Sequence, residues 1–354
     1  MENTITSNEY IKVNGNKFDF LKLVLAVLVA GIHLSHTGFV LRPVFRIAVP
    51  LFFMISSYLF FSRQGELQSH QLRKQAFFKF AKRILALYLF WFVVLLPVTI
   101  DHRGWCSNVN IFTVIDIVRG FFFGSTFKAS WFLMASLIGT FIVWYLAEQK
   151  VKDRWIIVLG VLVYVGCCLV SNYYHLCDKI PYFDRLYHKY CFFFTEPYNS
   201  FPMAILFVAI GKLMAQNKFQ VRQSTLKVAI LLLAICLYGE FFMTKHFCLV
   251  IKDDCFFLMP PLCLCLFMHL GQSKPHCYSF DTITMRSLSV IIYCCHNSIA
   301  YVIARYFRTM GMRIDTGSEL FVLFTLTLSI SSLIAFAILC VEKRRNLGWL
   351  RFSH

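Results

Sequence analysis

The sequence predicts an all-α, polytopic membrane bundle of about ten transmembrane helices with both termini cytoplasmic, and three observations carry that expectation. Hydrophobic residues fill 58% of the 354 positions and charged residues only 15%, whereas a soluble domain holds roughly 45 to 50% apolar residues. The mean hydropathy is +0.64. Apolar runs of the ~17 to 25 residues needed to cross a hydrocarbon core recur along the chain.

Ten such runs begin near Phe18, Pro43, Ile84, Trp131, Trp155, Ser200, Val228, Cys255, Ser287 and Glu319. They predict a single membrane domain over residues 1–354 with no separate soluble module. The segment before the first run, "MENTITSNEYIKVNGNK", is too polar for a cleavable signal peptide, so the first run is expected to stay as a helix. The second, "RPVFRIAVPLFFMISSYLFF", has Arg46 near its outer end and Pro50, which removes a backbone donor and invites a kink. Ser56 and Ser57 place small polar groups at mid-depth, where a neighbouring helix can approach. Lys82 and Arg83 open the third run, a polar approach "FGSTFKAS" leads to Trp131 and the fourth, and His296 lies inside the ninth, "SLSVIIYCCHNSIAYVIARYF". Two outer segments are long enough for structure of their own: Asp101 to Ser130, whose "NIFTVIDIVRGFFFG" is amphipathic enough to lie along the interface, and Asn172 to Asn199.

Loop charge sets the orientation. With the N-terminus inside, the inner segments hold 20 Lys and Arg and the outer ones 12, although the outer ones cover more residues. That bias places both termini in the cytoplasm and the protein in the inner (cytoplasmic) membrane as a multi-pass chain. The net charge of +17 belongs to these short loops, and no basic-aromatic module for nucleic acid occurs. Many of the fourteen cysteines lie inside apolar runs, where a thiol behaves as a small hydrophobe. No metal-site spacing is present. Cys106, Cys177, Cys191, Cys248 and Cys255 fall in or beside outer loops, where a disulfide of unassigned pairing is allowed.

Chemistry must then be sought among ionisable groups within the spans, which are costly there and generally face a cavity. Lys22 and His33 are eleven residues apart. Eleven steps of 100° return to within about 20° of the starting face after a rise of ~16 Å, so the two line one stripe, which Asp19 and His36 extend by three residues at either end. A bland reading stands beside the functional one: Lys22 and Asp19 as a snorkelling interface pair, and His33 or His36 as interface residues bonded to a loop. Arg46, Trp131, His296 and Glu240 each admit the same interface or packing alternative, and Ser56 and Ser57 that of helix packing.

The chain resembles the membrane acyltransferase-3 family on four motifs in order. "DFLKLVLAVLVAGIH" parallels the family's basic residue and histidine on the first helix, with Lys22 in place of the usual arginine. "VPLFFMISSY" parallels its second-helix motif, with Ser57 in place of the usual glycine. The basic start of the third helix, a Trp-Phe-Leu at Trp131 and the Tyr-x-x-His ending at His296 complete the likeness. The resemblance implies an O-acyltransferase that moves an acyl group, usually acetyl, from cytoplasmic acetyl-CoA or another acyl-CoA to a hydroxyl of an outer polysaccharide or lipid-linked sugar. It implies His33 as general base, with Ser56 and Tyr58 as further catalytic candidates. Lys22, Lys82 and Arg83 would attract the donor, and Arg46, Trp131 and His296 would bind substrate. The implied partners are the lipid bilayer, the acyl-CoA and the glycan acceptor, with no nucleic acid and no metal. Two other classes stay open: an exporter of a polysaccharide or its precursor, and a sensor or partner-binding domain. The latter follows from the resemblance of "RIAVPLFFMISSYLFF" to membrane domains fused to serine racemases in some bacteria.

Overall fold

The computed structural model describes residues 7–34, 40–106, 110–216, 219–272, 281–312, 317–345 and 347–354, with side chains of the first helix from Phe18 to His33. His36 lies outside the described residues. The helices are α1 Ser7–Leu34, α2 Arg42–Arg46, α3 Ala48–Gly65, α4 His70–Val94, α5 Leu96–Arg103, α6 Ile111–Phe123, α7 Trp131–Glu148, α8 Asp153–Leu169, α9 Tyr174–Cys177, α10 Phe183–Phe194, α11 Phe201–Gln216, α12 Gln223–His246, α13 Met259–Gln272, α14 Thr282–Thr309 and α15 Gly317–Arg345. Short 3-10 turns occupy Pro197–Asn199 and Gly348–Ser353, and no strand occurs among the described residues.

Each predicted run falls in a helix, yet the ten-span expectation is met only in part. Five spans, Arg42–Gly65, Trp131–Glu148, Gln223–His246, Thr282–Thr309 and Gly317–Arg345, are long and apolar enough to cross a bilayer, and two bent pairs raise the number to seven. For α8, of 17 residues, and α13, of 14, the shortfall is one of length, whereas α1, of 28, carries Lys17, Asp19 and Lys22 where its apolar run begins. At 1.5 Å per residue the 14 residues of α13 rise ~21 Å, short of a hydrocarbon core of ~30 Å. The 69° bend between α4 and α5 falls where Pro97 withholds its backbone donor. Pro50 acts similarly but one turn upstream: the break between α2 and α3 lies at Ile47, beside the Arg46 carbonyl that residue 50 would otherwise bond.

Lipid tails are as apolar as leucine, so helix association inside a bilayer rests on close packing and polar bonds rather than on the hydrophobic effect. The most enclosed helix is α11, buried from Pro202 to Lys212 and packed on α3, α7 and α8. Glycine makes these approaches close. A Cβ at Gly160 would stand 2.9 Å from the Leu206 Cα, and one at Gly211 would stand 2.6 Å from the Met54 carbonyl oxygen and closer still to Ser57 Oγ. Ser57 is buried, and its hydroxyl donates to the Phe53 carbonyl at 2.8 Å. The room that a glycine at 57 would leave is thus supplied by Gly211 across the seam. A second seam joins α1 to α14, with α3 and α15 on either side.

Bonds between loops sort the chain into two ends. At one end Arg73 Nε donates to Glu148 at 2.7 Å, Lys212 pairs with Asp153 at 2.5 Å and Gln272 reaches the Phe219 carbonyl at 2.9 Å. At the other, Arg119 donates to the Phe192 carbonyl at 3.1 Å, Tyr301 donates to Asp101 at 2.9 Å and His175 N–H bonds the Leu249 carbonyl at 3.2 Å. The first group comes from or next to predicted inner segments and the second from or next to predicted outer ones, and the two ends are called inner and outer after that expectation. α6 starts on a capping box in which Asn110 accepts from Thr113 N–H at 3.0 Å. It leaves Ile111, Phe112 and Val118 exposed, as an interfacial helix would.

A charged latch closes the outer end. Arg42 meets Asp253 at 2.7 Å, Arg46 pairs with Asp254 and reaches Asp253 at 3.8 Å, and Lys245 reaches Asp253 at 3.6 Å. It ties α2 to the segment between α12 and α13. Glu240 is buried there rather than at an interface: it accepts from Tyr173 at 2.7 Å and from the Phe257 and Leu258 N–H groups at 2.7 and 3.0 Å, just before α13 begins. Cys106, Cys177, Cys191, Cys248 and Cys255 all carry free thiols.

Three variants test this packing. In thermal unfolding of detergent-purified protein, Gly211→Ala is expected to cost about 1–3 kcal/mol by overpacking. Gly239→Ala, with open space around the new methyl, is expected to be neutral or stabilising. Asp253→Asn strands buried Arg42 without its carboxylate and is expected to cost roughly 3–5 kcal/mol. An unchanged unfolding temperature for Asp253→Asn would contradict the latch.

Candidate functional site

The α1–α14 seam repeats one pattern twice. Lys22 and His33 sit eleven residues apart on α1, and Arg286 and His296 ten apart on α14, rises of ~16 and ~15 Å. The helices run side by side, so histidine meets histidine and cation neighbours cation. The His33 and His296 ring centroids are 5.5 Å apart at an interplanar angle of 36°. Lys22 pairs with Asp19 at 3.6 Å, and both lie in the fields of Arg286 and Arg83.

His296 is fully buried. Its Nδ1 lies 2.8 Å from the Tyr293 carbonyl and 3.1 Å from that of Ile292. A carbonyl only accepts, so Nδ1 carries the proton and Nε2 keeps a lone pair. That Nε2 has no hydrogen-bond partner among the described residues. A lone pair in this position can take the ring N–H of His33 and leave the other His33 nitrogen bare toward the cavity. Tyr293 anchors the arrangement to the loop before α7, its hydroxyl donating to the Ala129 carbonyl at 2.5 Å. Ala129 has φ of 66°, a left-handed conformation costly for a residue with a Cβ and held here by that bond.

His33 faces an outer cavity of about 790 Å³ whose walls include Arg42, Arg46, Arg103, Arg119, Lys128 and Trp131. Trp131 is positioned by its backbone N–H, which donates to Ser125 Oγ at 3.2 Å. At the opposite end an inner cavity of about 510 Å³ is lined by Lys82, Arg83, Arg286, Glu342, Arg351 and His354. The turn Gly348–Ser353 forms part of its wall and is held by Trp91 Nε1–H donating to the Ser353 carbonyl at 3.0 Å. Glu342 receives Arg351 at 3.6 Å and His354 at 3.4 Å, leaving Lys82, Arg83 and Arg286 as surplus positive charge.

Among the residues singled out in the sequence, the structure brings His33, Arg46 and Trp131 to the outer cavity, sets His296 against His33, and brings Lys82 and Arg83 to the inner cavity near Lys22. Ser56 and Tyr58 line neither. Tyr58 stacks edge-on with Phe18 and Phe267 at 5.5 and 5.4 Å, level with Phe18, which precedes His33 by fifteen residues on α1. Arg286, Arg351 and Lys128 were not singled out. Arg286 was discoverable from its ten-residue offset to His296, whereas Arg351 and Lys128 sit in turns whose position only the fold reveals.

Known proteins bear on this geometry. The chain shares 24% identity over 257 residues with an amino-acid racemase of Enterococcus faecalis, covering 70% of this chain and 35% of that protein. A second amino-acid racemase of the same organism matches at 22% over 306 residues, 83% of this chain and 42% of that protein. The chain therefore spans well under half the length of these curated relatives. No solved structure matches. The acyltransferase domain profile covers residues 16–339, a range that includes the outer cavity, the seam and the Lys82, Arg83 and Arg286 side of the inner cavity. The chain belongs to the acyltransferase-3 family.

Proposed function

We propose that this membrane acyltransferase takes an acyl group, acetyl in the simplest case, from acyl-CoA at the inner cavity and delivers it to a hydroxyl of a glycan or lipid-linked sugar at the outer cavity. The observation that carries this reading is the α1–α14 seam, which joins a cationic cavity at one end to paired histidines at the mouth of another cavity. Lys82, Arg83 and Arg286, with Lys22 behind them, suit the phosphates of a CoA. The thioester arm would extend along the seam toward His33.

There His33 accepts the proton of the acceptor hydroxyl as its oxygen attacks the thioester carbonyl. A C–O bond forms, the C–S bond breaks, and the departing CoA thiolate takes the proton back from the His33 imidazolium. His296 acts through His33, setting its tautomer and sharing positive charge while the imidazolium exists. Arg46 and Trp131 provide donors on the cavity wall toward the acceptor and the developing oxyanion. Ser56 and Tyr58, away from this cavity, are assigned packing rather than catalytic roles.

Kinetics with labelled acetyl-CoA separate these roles. His33→Ala is expected to retain its unfolding temperature and lose about 100- to 10,000-fold in transfer rate, and parental transfer by that variant would overturn the mechanism. Arg286→Gln is expected to raise KM for acetyl-CoA about tenfold with kcat little changed. His296→Leu is expected to lower kcat while leaving KM for acetyl-CoA unchanged. A rise confined to KM in His296→Leu would instead make that residue a binding group.

A further inference from the structure

The outer cavity carries more positive charge than its own carboxylates neutralise. Its wall holds six basic side chains and three carboxylates. Two of the carboxylates are already engaged, Asp254 by Arg46 and Asp116 by Arg119 at 2.7 Å. Among the described residues Arg103, Lys128 and Lys252 have no carboxylate within ion-pair distance. Arg103 donates to the Ser125 carbonyl, and Lys128 lies over the Tyr301 ring at 5.0 Å.

These charges crowd one another. The Lys128 ammonium is held below its ordinary value by burial first and then by repulsion from Arg308 and Arg103. A like-charged cluster of this kind costs energy until an anion enters. The positive-inside tendency works against retaining cations on the outer side of a membrane protein, so topology does not account for them. Latch formation does not either, since Arg42 and Arg46 already satisfy Asp253 and Asp254.

We infer that the outer cavity binds an acidic acceptor, a glycan carrying phosphate or carboxylate groups close to the hydroxyl presented to His33. The hydroxyl's role rests on the acyl-transfer reading, whereas the binding of acid rests on the cavity wall alone. Neutral polysaccharide would leave Lys128 and its neighbours unrelieved, and an acidic one would place its charge between the Arg103–Lys128 side and Lys252.

Titration calorimetry on the full-length, detergent-purified protein tests this with three probes of equal length: a glycerol-phosphate hexamer, a galacturonate hexamer and neutral maltohexaose. At low ionic strength at least one acidic probe is expected to bind about tenfold or more tightly than maltohexaose, with affinity falling as salt is added. Whichever acid binds better identifies the anion as phosphate or carboxylate. The double variant Lys128→Gln/Lys252→Gln, which leaves the Arg103 bond to Ser125 in place, should weaken acidic binding about tenfold. Arg154→Gln/Lys227→Gln, the same charge loss elsewhere, should not. The inference is overturned if neither acid binds, if maltohexaose binds as well as the acids, or if the Lys128/Lys252 variant keeps the parental affinity. Because binding is read without turnover, this result stands apart from the transfer assay on His33→Ala.

Discussion

The structure depends on one contact, the side-by-side packing of α1 and α14. Inside a bilayer two helices gain little by excluding water from one another, so a seam holds through close packing and shared polar groups. Here the polar groups are also the ones to which the proposed reaction assigns its roles. His33 rests against His296 at one level, and Lys22 and Asp19 lie in the field of Arg286 roughly ten residues below. Separating the helices would take the His33 ring, 5.5 Å away between centroids, from beside the Nε2 lone pair of His296, which is buried and bonded to its own helix through Nδ1. The site and the seam are therefore the same physical object.

Everything else sets the ends of that seam. At the outer end the Arg42, Arg46, Asp253 and Asp254 latch fixes α2, which follows α1 closely. Tyr293 holds the Ala129 turn against α14 and so fixes the cavity wall next to the histidines. At the inner end the Gly348–Ser353 turn folds back onto α4 through Trp91 and adds Arg351 and His354 to the cavity of Lys82 and Arg83. The α11 hub, with Gly211 against Ser57, keeps α3 in place beside α1. Its role is scaffolding.

Much of this was legible in the sequence because helical periodicity survives in any fold. The eleven-residue offset from Lys22 to His33 needs only α1 to be helical, and the basic start of α4 needs only its position after an inner loop. Helix number was read less well: apolar composition marks each run, but α8, α11 and α13 are too short on their own, and length is set where loops and bends end a helix. What stayed hidden was pairing between segments distant in the chain. Asp253 and Asp254 read as loop acids until α2 lies against them, Glu240 as an interface residue until α13 starts beside it, and Arg286 as an inner-loop cation until α14 lies along α1. Tyr58, chosen for its nearness to a motif, lies at the wrong depth for His33 because α3 runs opposite to α1.

The central claim is that chemistry crosses the membrane along this seam, from a cationic cavity at one end to the histidine pair at the other. It is tested most directly in sealed proteoliposomes, with labelled acetyl-CoA confined to one side and a hydroxylated glycan acceptor to the other. Label on the acceptor, with the CoA product retained on the donor side, is the predicted result. Transfer that occurs only when donor and acceptor share one side of the membrane would contradict the account.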